Sequence, residues 1–127
     1  MIYEFNECLL DVDRIILRRA GDEVPLEPQV YDLLVYLIEN RGTVLTKEQL
    51  LDNVWGDRFV SESALTTRVK SARRAVGDSG SLQSVIRTVH GRGYEFVAEV
   101  AGSQELIWGN QVNVARGWAG RVLGSET

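Results

Sequence analysis

The chain is nearly without the residues that staple or metallate small proteins: it has one cysteine, Cys8, and one histidine, His90, among 127 residues. A lone thiol closes no intramolecular disulfide and builds no zinc ribbon or zinc finger. Long apolar runs are missing too. The longest, Leu33 to Ile38, falls far short of the roughly 20 residues that a membrane-spanning helix needs. The N-terminal MIYEFNE has neither a basic nor an apolar region of the kind that opens an export signal. These absences lead us to expect a cytoplasmic chain with no membrane segment, no metal and no cofactor.

Basic charge is also in short supply, with 14 Lys and Arg against 18 Asp and Glu, a net charge of -4. The average hides an asymmetry. Residues 1–57 hold 5 basic and 12 acidic side chains, whereas residues 58–98 hold 7 basic (Arg58, Arg68, Lys70, Arg73, Arg74, Arg87, Arg92) and 3 acidic (Glu62, Asp78, Glu95). Association with a polyanion depends on the local field at the contact surface, so the basic block is more informative than the total. A composition of 44% hydrophobic and 25% charged residues is that of an ordinary globular protein, one domain plus a tail at this length.

From Tyr3 to Pro25 the apolar runs are short and alternate with polar pairs, which predicts an antiparallel meander of three or four small strands. Pro28 suits the first turn of a helix, and Val30, Leu33, Leu34, Leu37 and Ile38 continue it with a helical period to about Asn40–Gly42. Tyr31 and Tyr36 on so apolar a helix are expected to pack inward. Thr46-Lys47-Glu48-Gln49 is a capping box with Leu45 and Leu50 as its staple, so a second helix runs from Lys47 to Trp55 and stops at Gly56.

A third helix is predicted over Ser61–Val76, capped by Ser61 or Ser63. Leu65, Val69, Ala72 and Val76 fall on its inward stripe. Ser63, Thr67, Lys70, Ser71 and Arg74 fall on the opposite pole, with Arg68 and Arg73 flanking, so the outer face offers hydroxyls and cations. Two short helices with a tight connection, the second basic outside, have the form of a helix-turn-helix; a plain three-helix bundle with a solvated third helix fits the periodicity as well. Val85–Val89 and Tyr94–Ala98 then read as a hairpin whose turn, His90-Gly91-Arg92-Gly93, projects a glycine-flanked cation, as suits a minor groove.

Residues 3–98 resemble the winged helix-turn-helix DNA-binding domain of the OmpR/PhoB type, the transcriptional regulatory protein C-terminal family. The stretches LEPQVYDLLVYLIENRG, LTKEQLLDNVWG, SALTTRVKSARRAVGD and VIRTVHGRGYEFVA carry the likeness. The resemblance implies an α+β fold: an N-terminal four-stranded antiparallel sheet, three helices and a C-terminal β-hairpin wing. It implies sequence-specific binding of double-stranded DNA by a bacterial transcription regulator. Ser63, Thr67, Arg68, Lys70, Ser71 and Arg74 would meet the major groove and its phosphates, and Thr88, His90 and Arg92 would serve as wing contacts. Asp57 and Arg58 would be the exposed charges of a loop that touches RNA polymerase, and a DNA-assisted homodimer on direct repeats is implied.

The domain is expected at 1–99, with 100–127 a glycine-rich tail, a linker or the start of a second domain. Response regulators of the family carry a phosphorylatable receiver ahead of this domain, and the sequence looks closer to members that place the domain first.

Two other readings are weighed against this one. Gly77-Asp78-Ser79-Gly80 copies the tetrapeptide around the nucleophile of chymotrypsin-like proteases, but the chain is about half the size that fold needs, and the segment reads as an ordinary loop. No catalytic residues are expected. A winged-helix protein-interaction module without DNA binding is the remaining alternative, for which apolar or acidic substitutions on the basic face would be the sign.

Overall fold

The computed structural model describes residues 1–56 and 61–102. Four strands open the chain: β1 (Ile2–Phe5), β2 (Cys8–Asp11), β3 (Ile16–Arg19) and β4 (Asp22–Val24). Each pairs antiparallel with the next. Phe5 faces Cys8 across a two-residue turn at Asn6-Glu7, and Arg19 faces Asp22 across Ala20-Gly21. Ala20 and Gly21 both have positive φ, as the tight hairpin turns that match strand twist require. Alternation along the strands sends Tyr3, Phe5, Cys8, Leu10 and Leu17 into the core.

Three helices follow: α1 (Pro28–Glu39), α2 (Lys47–Trp55) and α3 (Glu62–Ala75). α1 has Pro28 at its start and buries Val30, Leu33, Leu34, Leu37 and Ile38, and it packs against both α2 and α3. Fully burying such a side chain stabilises the fold by about 1.5–3 kcal/mol relative to leaving it in water. Tyr31 and Tyr36 are half-buried; the Tyr31 hydroxyl donates to the Val12 carbonyl, and the Tyr36 hydroxyl accepts from Asn53.

The hairpin comprises β6 (Ile86–Val89) and β7 (Gly93–Phe96). It gains a third strand, β5 (Leu45–Thr46), which pairs with β7 and gives the order β5-β7-β6. A further short strand, β8 (Ala101–Gly102), falls in the stretch read from sequence as tail and pairs with β1, so the platform order is β4-β3-β2-β1-β8. Phe5 and Phe96 join the two sheets edge to face, with ring centroids 5.1 Å apart.

Candidate nucleic-acid interface

The third helix is held at both ends by residues outside its outer face. The capping box forms as the sequence predicts: Thr46 Oγ1 accepts from the Gln49 amide at 3.0 Å, and Gln49 Oε1 accepts from the Thr46 amide at 2.8 Å. Gly56, at φ +65°, terminates α2. Ser61 caps α3 by accepting from the Ala64 amide at 3.2 Å. Lys47 Nζ lies 3.0 Å from Glu62 Oε2 and ties the starts of the two helices; the hydrogen bond to Glu62, and then its charge, push the Lys47 pKa up. At the far end, Arg19 Nη1 donates to the carbonyls of Arg74 (2.9 Å) and Ala75 (3.3 Å), a favourable place for a cation. Cys8 Sγ donates to the Val76 carbonyl at 3.6 Å.

Leu65, Val69, Ala72 and Val76 are buried, as the stripe requires. On the outer face Ser63, Thr67, Lys70 and Arg74 are exposed and Ser71 is half-buried. Thr66 is exposed as well. At about 100° per residue it lies roughly 60° from Ser63, so the helical wheel contained it and the sequence reading missed it. The hydroxyls of Thr66 and Thr67 donate back to the carbonyls of Glu62 and Ser63 at 3.1 and 3.0 Å, which leaves their oxygens as acceptors.

Two flanking arginines are engaged within the fold. Arg73, expected to be an exposed flank, is only 7% exposed. Its Nε and Nη2 donate to the Ile86 carbonyl at 3.1 and 3.0 Å, and Nη2 also donates to Thr88 Oγ1 at 2.7 Å. Arg68 is half-buried; it donates to Gln29 Oε1 and to the Ala64 carbonyl, and its guanidinium lies 5.9 Å from the centroid of the Trp55 ring. A cation stacked on an indole in this way gains about 0.5–2 kcal/mol.

In the wing, His90 and Arg92 are exposed at the turn, which the Arg92 amide closes on the Val89 carbonyl at 2.9 Å. Gly91 has φ +73°. The Arg92 carbonyl accepts from the Lys47 amide at 3.2 Å, so the root of the turn is fastened to α2. Thr88 is half-buried, its hydroxyl taking the Arg73 bond and its amide donating to Gln83 Oε1 at 2.9 Å. Arg87 forms an ion pair with Glu95 across the hairpin at 2.6 Å. Asp57 and Arg58 lie outside the described residues. Among the described residues, Lys70, Arg74 and Arg92 form no ion pair.

The Gly77–Gly80 loop is built around a buried carboxylate. Asp78 is 7% exposed. It accepts from the amides of Ser79, Ser84, Val85 and Ile86, at 2.7, 2.8, 2.9 and 3.0 Å, and from the Ser84 hydroxyl at 3.1 Å. Burial by itself would raise its pKa, but the amide bonds outweigh burial and hold it below the usual carboxylate range. Its bonds are those of a loop organiser. Sequence reading missed this role because three of the partner amides, at Ser84, Val85 and Ile86, come 6 to 8 residues later.

Among the described residues no group of three or more His, Cys, Asp or Glu is placed to hold a metal ion, and no helix is long and apolar enough to cross a membrane.

A helix-turn-helix with an N-terminal sheet before it and a β-hairpin behind it defines the winged helix-turn-helix class. The chain belongs to the family described as transcriptional regulatory protein, C terminal, whose profile matches residues 21–96; its members carry the OmpR/PhoB-type DNA-binding domain of transcription regulators.

The transcriptional regulator HilA of Salmonella typhimurium is 35% identical over 94 residues, which cover 74% of this chain and 17% of HilA. This chain therefore matches less than a fifth of that relative's length. The response regulator DrrB of Thermotoga maritima, an OmpR/PhoB homologue, superposes with a TM-score of 0.70 at 30% identity, covering 76% of this chain and 44% of DrrB. The DNA-binding domain of CadC from E. coli superposes with a TM-score of 0.66 at 29% identity, covering 79% of this chain and 94% of that domain.

Proposed function

We propose that this domain binds double-stranded DNA sequence-specifically as part of a bacterial transcription regulator, with α3 in the major groove and the wing tip in the minor groove. The observation that carries the reading is the outer face of α3. From Ser63 to Ala75 it has no acidic residue, and its exposed positions are hydroxyls and cations. The acidic residue at its start, Glu62, is neutralised by Lys47. Hydroxyls and threonine methyls suit base edges, Lys70 and Arg74 suit guanine or phosphate, and an exposed Arg92 suits the narrow groove of A·T-rich DNA.

Arg68 and Thr88, engaged within the fold, would contribute chiefly by holding the surface that binds. His90 would assist at the wing. Asp57 and Arg58 would face RNA polymerase, and two copies would pair on direct repeats. Selection of bound sequences from a random duplex library tests the central claim. A recovered motif that binds the purified domain in fluorescence anisotropy supports it, and failure to bind any duplex at low salt defeats it.

A further inference from the structure

The recognition helix and the wing are joined through the main chain of one residue. The Ile86 amide donates to Asp78 Oδ2 at 3.0 Å, and the Ile86 carbonyl accepts from Arg73 Nε and Nη2 at 3.1 and 3.0 Å. Ile86 is the first residue of β6, and among the described residues β6 has one strand neighbour, β7. Its outer edge would otherwise show unpaired amides and carbonyls. Here side chains take the place of a strand: Asp78 and Arg73 at Ile86, and Gln83 at the Thr88 amide. Arg73 reaches further, to Thr88 Oγ1, two residues nearer the tip that bears His90 and Arg92.

One anchor lies in α3 and the other just past its end. Arg73 is in its last turn, and the Asp78 amide donates to the Arg73 carbonyl at 2.8 Å, so the two residues are tied through their main chains while their side chains both reach β6. Among the described residues no carboxylate forms an ion pair with Arg73. A buried guanidinium without a counter-charge is a costly way to gain stability alone. What its planar fork supplies is direction, because two donors on one carbonyl and a third bond to Thr88 fix the strand's angle as well as its distance.

We propose that Arg73 and Asp78 are positioning residues that fix the wing against the recognition helix, so that helix and wing grip DNA as one rigid unit. This rests on the DNA-binding reading above. Neither residue touches DNA. Each acts through β6, and the binding contribution of Arg92 depends on both.

The test is a double-mutant cycle on the full chain, read by fluorescence anisotropy with a selected duplex, together with amide hydrogen exchange on the free protein. Arg92→Ala should weaken binding about tenfold, as loss of a single groove contact does. In the Arg73→Met background the same change should cost under about twofold, because the wing is no longer held where Arg92 can reach. Penalties that multiply would overturn the proposal. If Arg73→Met fails to fold, Arg73→Lys keeps the charge and loses the fork, and the same outcome is expected in weaker form.

In the free protein, Asp78→Asn should speed exchange at Ile86 and Thr88 by more than at the core amides of α1, whose acceleration follows the loss of global stability alone. Acceleration at Ile86 and Thr88 no greater than in α1 would mean general destabilisation and would sink the idea. If wild-type protein fails to bind any duplex, the DNA-binding reading falls instead, and the exchange arm still decides whether α3 holds the wing.

Discussion

The carbonyl oxygen of Leu45 occupies the space that a β-carbon on residue 93 would need: an ideal Cβ built there would lie 1.9 Å from it. The carbonyl carbon of Leu45 and the Cα of Thr46 would be within 3 Å as well, at 2.8 and 2.9 Å. All three are backbone atoms, so no side chain can swing aside. Gly93→Ala must therefore push β7 away from β5, at a cost of at least about 1–3 kcal/mol. Gly91, with nothing near its Cβ position and φ +73°, should lose only about 1–2 kcal/mol on the same change. Thermal melts of the two variants check this; equal losses would mean that β5 and β7 part easily.

Asp78 should make stability depend on acid. Its folded pKa is depressed, so its contribution is fully present above the ordinary value of 3.8 and is lost as pH falls through the folded value. Asp78→Asn should melt below wild type at pH 7, and the gap should narrow below about pH 4. A gap constant from pH 7 to pH 2 would show that the carboxylate charge is not what holds the loop.

Cys8 should be inert in the native protein. Burial, with only partial relief from Arg19, pushes its thiol up to about 11, and the side chain is 4% exposed. At pH 7.5 iodoacetamide should modify it only at the rate of global unfolding, and immediately in denaturant. Fast labelling without denaturant would contradict the packing of Cys8 beneath the end of α3.

Arg68 and Lys70, two residues apart on α3, should fail differently. Arg68→Ala removes the bonds to Gln29 and to the Ala64 carbonyl and the contact over Trp55, so its melting temperature should drop along with affinity. Lys70→Ala, at an exposed position without an ion pair among the described residues, should lower affinity and leave the melt within about 0.5 kcal/mol of wild type. Matching effects on both measures would show that the two cations share one role.

Binding should weaken with salt, but less steeply than the seven basic residues of 58–98 imply. Arg73 is buried, Arg87 is paired with Glu95 and Arg68 is engaged inward. Three or four remaining cations on phosphate predict a slope of log K against log salt of about -3 to -4. A slope near -6 would mean that the inward arginines turn out to meet DNA. Arg92→Ala should weaken binding mainly on sites with an A·T-rich minor groove, whereas equal loss on every sequence would make it a phosphate contact.

Much of this could be read from sequence because local rules governed it. The inward stripe of α3, the capping box at Thr46 and the proline start of α1 depend on residues within a turn or two of one another. β5 was hidden because two residues carry no period, and their pairing depends on the absence of a side chain at Gly93. Arg73 was misjudged for a related reason. On a wheel it is a flank, and a long side chain on a flank can turn either way; the β6 carbonyl that draws it inward is 13 residues on in the chain. Asp78 looked like loop punctuation because the amides that claim it come 6 to 8 residues later, at Ser84, Val85 and Ile86.

The third helix takes its start from Ser61 and its end from Arg19, and its inner stripe fills the core. The side chains of Thr66, Thr67, Lys70 and Arg74 carry no part of that framework beyond their own turns of helix. The domain is thus a chassis with replaceable tooling: on the proposed DNA-binding reading, new side chains at these four positions should change the sequence it prefers while its folding stability stays nearly untouched.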